Sequence, residues 1–376
     1  MGTLRTLFAI AVIFAHSIGF VFVGGTNAVQ LFYMISGFLI SYVLLEKKTY
    51  GSVSVFYLNR FLRLFPIYFA VALLSLLYFI TAKSLPSEEF FAVWRTAPWG
   101  ARVLLAVSNA TMLFQDWVMF LGVADGNLVI VTDFMKSDVR LYQGLLVPQA
   151  WTLGLELSFY LIAPFVLPRR YLLLVLVCLS IVFRLYLIDI GIGRADPWTY
   201  RFFPNELLLF LLGALAHQIL LPLYRRFPLA RLAQSAKFAT WGMIALTVTY
   251  WLFPAPEVIR KIFIFAIFWI ALPLTFIFQN DRKWDRWIGE LSFPIYICHV
   301  LVIDLLSTGL AKFDIDNKIS LGLIAVPVSI AFAVILNLFV SRPVELIRGK
   351  IRAGFSASIS IPDLMRNVAT VDRNAS

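Results

Sequence analysis

Arg5 and His16 are the two residues of this sequence whose types and spacing most directly suggest chemistry. They lie in an apolar segment that predicts a helix, and at about 100° per residue both side chains fall on one stripe of it, roughly 16 Å apart along the axis. An imidazole titrates near neutral pH and can take a proton from an attacking hydroxyl. Because ionisable residues are costly inside a membrane helix, this pair is a candidate functional site.

Three further ionisable residues lie in or beside apolar segments. Arg60 and Arg63 are one helical turn apart, and arginine suits bidentate binding of phosphate. Glu156 could orient and stabilise an imidazole, or act as an acid or base itself. Each candidate also has a structural interpretation, which is a membrane anchor for the arginines and a hydrogen bond between helices for His16 and Glu156. For His299 we expect a structural role, in the packing of the span that contains it.

The composition indicates a polytopic helical membrane protein. Of the 376 residues, 61% are hydrophobic and 14% are charged, whereas soluble proteins carry about 25% charged residues. The net charge of +11 does not indicate nucleic acid, because the basic residues occupy short loops between apolar segments, as the positive-inside rule expects. Cys178 and Cys298 form no metal-binding or disulfide pattern. Asp125, Asp133 and Asp138 are expected to be solvated, so we predict no metal.

The apolar segments predict an all-α transmembrane bundle of about ten spans, with both termini cytoplasmic. The transmembrane domain is predicted at 1–343, followed by a mobile cytoplasmic tail at 344–376. Polar residues interrupt segment 101–121, so we expect it to lie along the outer surface or to re-enter from it, and residues 122–149 to form a polar loop. A full crossing there would give eleven spans and place several basic loops outside. The ten predicted spans are 6–23, 28–45, 64–81, 151–168, 171–190, 205–222, 238–253, 261–278, 291–310 and 319–340.

This topology separates the candidate residues by depth. Arg5, Arg60 and Arg63 are expected near the cytoplasmic face. His16 is expected in the middle or outer half of the membrane, reaching towards the level of Glu156. Whether Glu156 faces His16 is left open by the sequence.

Five segments, in this order, resemble the acyltransferase 3 family of membrane O-acyltransferases, and together they extend over about residues 5–343. Three departures from the family pattern are visible. Residues 1–3 stand where the family has an Asp-Gly pair, which is compatible with a start further upstream. Thr152 replaces a serine, and Ser341 stands where an acidic residue is common. The matching segments are Leu4 and Arg5 followed by His16 (Arg-x10-His), AVQLFYMISGFLI at 28–40, RFLRLFP at 60–66 (Arg-x-x-Arg), PQAWTLGLELSFY at 148–160 and SFPIYICH at 292–299.

The resemblance implies transfer of an acyl group, usually acetyl, from a cytoplasmic coenzyme A thioester to a hydroxyl of a carbohydrate or glycolipid. It implies His16 as the catalytic base, with Glu156 as a further catalytic candidate. Arg5, the motif partner of His16, is placed with Arg60 and Arg63 as candidate contacts to acetyl-coenzyme A. The expected location is the bacterial cytoplasmic (inner) membrane, and the lipid bilayer is the expected surrounding. The acceptor and the oligomeric state are not indicated.

Two mechanistic questions stay open from the sequence. Direct transfer and a covalent acyl-enzyme are both compatible with these residues, and Ser36 is a possible nucleophile. A different class of protein, a transporter or flippase of glycan precursors, would use His16 and Glu156 as a proton relay. The absence of paired, similarly broken helices in the two halves of the sequence disfavours that alternative.

Overall fold

A computed structural model describes residues 1–48, 50–280, 282–311 and 318–351. The predicted helical class is confirmed, and each of the ten predicted spans overlaps a helix. Among the described residues, seven helices are long and apolar enough to cross a membrane. The chain is therefore a helical integral membrane protein. The count of ten crossings and the cytoplasmic position of the termini stay predictions.

Two connections are longer than the others, the one between α5 and α6 and the one at residues 190–202 between α7 and α8. Three helices pass into a π-helical turn, at Tyr42–Glu46, Ala216–Leu220 and Asn337–Ser341. In chain order the elements are α1 (Gly2–Ser17), α2 (Gly25–Ser41), α3 (Val53–Thr81), α4 (Leu85–Thr96), α5 (Trp99–Thr111), β1 (Leu121–Ala124), β2 (Asn127–Ile130), α6 (Trp151–Val166), α7 (Arg170–Asp189), α8 (Phe203–Leu215), α9 (Leu221–Tyr224), α10 (Leu229–Thr249), α11 (Glu257–Asn280), α12 (Lys283–Ala311) and α13 (Lys318–Leu336).

Helix α1 lies at the centre of the bundle, where it packs against α2, α12 and α13. Helix α2 in turn packs closely against α8. A Cβ atom added to Gly37 would lie 1.8 Å from the carbonyl oxygen of Phe210, and one added to Gly213 would lie 1.9 Å from that of Met34. Small residues let membrane helices approach this closely. The two glycines thereby fix the position of α2, which carries Ser36.

Helix α1 is shorter than predicted. It ends at Ser17 rather than at residue 23. Gly19 and Gly24 then adopt positive φ angles of 111° and 79°, which turn the chain into α2. The residues between them are mostly apolar, so composition alone did not reveal the end of the helix. His16 therefore sits in the last turn of α1, next to an open loop.

The region 101–149 is more structured than the sequence indicated. Helix α5 ends at Thr111, and its 13 residues cover roughly 20 Å, less than the thickness of a bilayer core. This agrees with the prediction that segment 101–121 is not a full crossing. The prediction of a plain loop after it is wrong, because β1 and β2 form an antiparallel hairpin. Asp125 and Gly126 both have positive φ, as a two-residue type I′ turn requires.

The end of the described chain is helical. Beyond the π-helical turn at Asn337–Ser341, helix continues to Ile351. Arg348 donates a hydrogen bond of 2.8 Å to Asn59 Oδ1 on α3. Residues 344–351, assigned to the tail from the sequence, therefore pack against the bundle. The remainder of the predicted tail, 352–376, lies outside the described residues.

Candidate active site

Three neighbouring cavities run through the bundle around α1. We name them the basic cavity, the central cavity and the His16 cavity. The basic and central cavities share Arg5, Arg60, Arg63 and Phe293 in their walls. The central and His16 cavities share Val29 and Tyr296. The cavities therefore form a series, with cations at one end and an imidazole at the other.

The basic cavity is an anion-binding environment. Its wall carries seven cationic and two acidic side chains among the described residues. Cations in a cleft with low-dielectric walls attract anions and concentrate them there. The charged residues are Arg5, Lys47, Arg60, Arg63, Arg286, Arg342 and Arg348, with Glu290 and Glu345.

Arg5 is held at the junction of the basic and central cavities by the start of α1. The carboxylate of Asp285, on α12, accepts hydrogen bonds of 2.8 Å from the backbone N–H groups of Gly2 and Thr3. A carboxylate is stabilised at a helix N-terminus by the unpaired N–H groups and the helix dipole. The N-terminus of α1 thus does have an acidic partner. This residue comes from α12, which is distant in sequence, and not from residues 1–3. Arg5 Nε has no hydrogen-bond partner among the described residues.

Arg60 and Arg63 lie on the same face of α3 but in different surroundings. Arg60 is only 6% exposed, and its guanidinium carbon lies 5.5–5.8 Å from the ring centres of Tyr50, Phe56 and Tyr160. Its Nη2 also donates a hydrogen bond of 2.6 Å to the Tyr50 hydroxyl. Arg63, one turn further, is half-buried and lines both cavities. Arg63 is therefore the more available of the two for an anion.

Glu156 lies in the central cavity, on α6. Ser36 Oγ, on α2, donates a short hydrogen bond to its Oε1. Arg5, Arg60 and Arg63 line the same cavity. Three cationic side chains thus share a cavity with one carboxylate, which offsets part of the cost of burying charge there.

His16 lines the third cavity rather than the one that contains Glu156. Its nearest aromatic neighbour in the described chain is His299 of α12, with ring centroids 5.1 Å apart. The structure therefore brings Arg5, Arg60, Arg63 and Glu156 to one cavity and places His16 in the adjoining one. The Arg5–His16 stripe connects the two.

The wall of the His16 cavity also contains two aromatic rings and an arginine that the sequence did not indicate. The guanidinium carbon of Arg201 lies 4.2 Å from the ring centre of Trp151 and 4.7 Å from that of Tyr200. Asp196 accepts hydrogen bonds of 2.7 and 3.1 Å from Arg201. Burial opposes the charge on Arg201, but Tyr200 and Asp196 together keep its pKa above the ordinary arginine value. Trp151 lies within segment 148–160, which resembles the acyltransferase family, but no local pattern pointed to the residues at 196–201.

Asp116 is a buried carboxyl beside α6, in the connection after α5. It is 3% exposed, and a Cβ atom added to Gly154 would lie 2.5 Å from its Oδ1. Burial raises the pKa of Asp116 to about 7, partly countered by its hydrogen bonds with backbone N–H groups at 116 and 117. Asp116 thus carries its proton over most of the acidic range and packs closely against the helix of Glu156.

The chemistry available in the three cavities is that of cations, hydroxyls, carboxylates and the imidazole of His16. Among the described residues, no group of three or more His, Cys, Asp or Glu side chains is arranged to hold a metal ion. The cavities instead suit a long substrate with an anionic end, which the basic cavity would bind and whose other end could reach His16.

The comparison with protein families agrees with this arrangement. Residues 2–338 match the family model described as acyltransferase domain, which is that of the acyltransferase 3 family. The match covers most of the 376 residues, so the chain belongs to this family and is a membrane acyltransferase. No curated protein and no solved structure matches the chain.

Proposed function

We propose that this protein transfers an acyl group, most simply acetyl, from acyl-coenzyme A to a hydroxyl of a cell-surface or exported carbohydrate, in a bacterial cytoplasmic membrane. The observation that carries the proposal is the series of cavities, with clustered cations at one end and His16 at the other. Coenzyme A has the matching shape, because its phosphates lie at one end of an extended arm and its thioester at the other.

The donor would bind with its phosphates in the basic cavity. Arg63 offers a half-buried guanidinium there, and Arg5 offers an unpaired Nε at the entrance to the central cavity. Charge-assisted hydrogen bonds from arginine to phosphate are short and geometrically specific. From Arg5 to His16 the α1 axis rises about 16 Å, a distance that an extended pantetheine arm can cover. Ser36 and Glu156 lie along this path and offer hydrogen-bond partners to the amide groups of the arm.

The acceptor would bind in the His16 cavity. Sugars pack on aromatic rings and hydrogen-bond to planar polar groups, and the wall formed by Trp151, Tyr200 and Arg201 supplies both. Asp196 adds a carboxylate that can accept from sugar hydroxyls. The acceptor hydroxyl would then meet the thioester beside His16, near Tyr296, which lines both this cavity and the central one.

In the transfer step, His16 would remove the proton of the acceptor hydroxyl as its oxygen attacks the thioester carbonyl carbon. A new C–O bond forms, the C–S bond breaks, and the thiolate of coenzyme A leaves. The imidazolium of His16 returns its proton to the thiolate or to water, so that the products are the ester and free coenzyme A. A positioned general base of this kind contributes roughly 10²- to 10⁴-fold in rate.

Purified protein in detergent, given labelled acetyl-coenzyme A and a carbohydrate fraction from a bacterial envelope, tests the proposal. We expect release of free thiol together with label in the carbohydrate. His16→Ala should lose most of this transfer and still bind acetyl-coenzyme A. The matched control is His217→Gln, because His217 is another histidine of the bundle but contacts Ser41 and Glu46 away from the three cavities. An intact thioester with every acceptor fraction, or full transfer by His16→Ala, would contradict the proposal.

A further inference from the structure

His299 is a buried imidazole to which the proposed transfer step gives no role. It lies on α12 and is fully buried. Its Nδ1 lies 2.6 Å from the backbone carbonyl oxygen of Tyr296. A carbonyl oxygen can only accept, so Nδ1 must carry the hydrogen. In the neutral ring, Nε2 is then the acceptor nitrogen.

That acceptor nitrogen has no hydrogen-bond partner among the described residues. A buried acceptor without a partner costs about 1–3 kcal/mol. The ring of His16 lies against it, with centroids 5.1 Å apart and planes inclined by 47°. The χ2 torsion of histidine is broad, so a modest rotation of the His16 ring would direct one of its N–H groups at His299 Nε2.

We infer that His299 is a positioning residue that fixes the tautomer and orientation of His16. With one His16 nitrogen donating to His299 Nε2, the other nitrogen holds its lone pair towards the cavity and can act as the base. In catalytic triads a buried acidic residue performs this task for histidine. Here the groups around His16 are those of its cavity, namely Arg201, Asp196, Tyr200, Tyr142 and Tyr296. None of them is hydrogen-bonded to His16 in the described structure, whereas His299 packs directly on its ring.

This inference rests on the proposed function, so its test includes a measurement that needs no activity. The chain contains three histidines, and selective ¹⁵N labelling of the imidazoles would resolve all of them in detergent. We expect His16 to occupy a single neutral tautomer in the unmodified protein. In His299→Leu, which keeps bulk but removes the acceptor, His16 should exchange between tautomers. An unchanged His16 spectrum would overturn the inference even if the protein transfers no acyl group.

Kinetics supply the second measurement. His299→Leu should lower kcat by roughly 10- to 100-fold, part of what a general base contributes, with the KM for acetyl-coenzyme A unchanged. His299→Gln should recover much of the loss, because the glutamine Oε1 lies near the position of Nε2 and also accepts. The same two substitutions at His217 are the matched control and should leave kcat unchanged.

A double-mutant cycle separates positioning from packing. Because His299 acts through His16, His299→Leu should cost almost nothing further in a His16→Ala background. Equal losses in both backgrounds, or a loss in kcat that follows a loss in thermal stability of the folded protein, would show that His299 serves only the packing of α12. Unchanged kcat in an active His299→Leu protein would also overturn the inference.

Discussion

Replacing Arg63 with alanine should weaken the binding of the donor's phosphates and leave the rest of the protein intact. Arg63 is half-buried and lines both the basic and the central cavities. A hydrogen bond between charged groups is worth about 1.5–3 kcal/mol. At 1.4 kcal/mol per factor of ten, the loss corresponds to a KM for acetyl-coenzyme A raised roughly 10- to 150-fold. We expect kcat to change little, because in the proposed binding mode Arg63 would contact the end of the donor remote from the thioester.

A truncated donor makes this test specific. S-acetylpantetheine has the thioester and the arm but lacks the nucleotide and its phosphates, so its KM should be the same for Arg63→Ala and the unmodified protein. Added salt should raise the KM for acetyl-coenzyme A and not that for the truncated donor, since screening weakens charged contacts. Arg231→Ala, which removes an exposed arginine of α10 outside all three cavities, is the matched control for net charge.

Comparison of Arg63→Ala with Arg60→Ala separates an effect on donor binding from an effect on the stability of the folded protein. Arg60 is enclosed by Tyr50, Phe56 and Tyr160, and cation–π contacts of this kind are worth about 0.5–2 kcal/mol each. Arg60→Ala should therefore lower the unfolding temperature, whereas Arg63→Ala should not. If Arg63→Ala raised KM equally for both donors, or for neither, the assignment of the basic cavity to phosphates would be refuted.

Three further predictions concern residues around the cavities. In the folded protein the pKa of Asp116 is raised to about 7, so the free energy of unfolding falls as pH rises from about 4 to 7. Asp116→Asn should remove this pH dependence and stabilise the protein at pH 8 by at most about 4 kcal/mol. Thermal unfolding at about pH 4 and pH 8 measures both effects. Gly37→Ala should destabilise by roughly 1–3 kcal/mol, because its Cβ would strike the Phe210 carbonyl, whereas alanine at Gly242, where a Cβ meets no neighbour, should be tolerated. Glu156→Gln keeps a hydrogen-bond acceptor for Ser36, so this variant should still bind acetyl-coenzyme A. Its kcat, measured under the same conditions as that of His16→Ala, should fall less than the kcat of His16→Ala.

The helical architecture could be predicted because membrane helices are read from long apolar segments, and all ten segments overlap helices. The ends were harder to place. Nothing in the composition of residues 18–23 marked the end of α1 at Ser17, since apolar residues continue into the turn and only the φ angles of Gly19 and Gly24 reveal it. The β1–β2 hairpin was missed for a different reason. Its strands have four residues each, too few for a clear alternating pattern.

The candidate site was predictable in its members more than in its geometry. The sequence drew attention to Arg5, Arg63 and Glu156, and the structure places all three in one cavity. The sequence could not show that Glu156 contacts Ser36 and that His16 contacts His299. Helix periodicity predicts which residues share one face of a helix, but it does not predict which helix packs against that face. The part played by residues 196–201 could not be predicted, because they approach Trp151 only when the connection between α7 and α8 folds.

The contact between α1 and α12 has a consequence for how the protein can move. Asp285 anchors the first turn of α1 to the start of α12, and the two histidines meet about fourteen residues later on both helices. Because α1 is attached to α12 near both of its own ends, α1 and the first half of α12 must move as a single body. A substrate that enters between other helices can therefore widen the path without disturbing the imidazole pair. Opening by a hinge within the bundle would instead have to occur at α2, α3 or α6, which form the remaining wall of the central cavity.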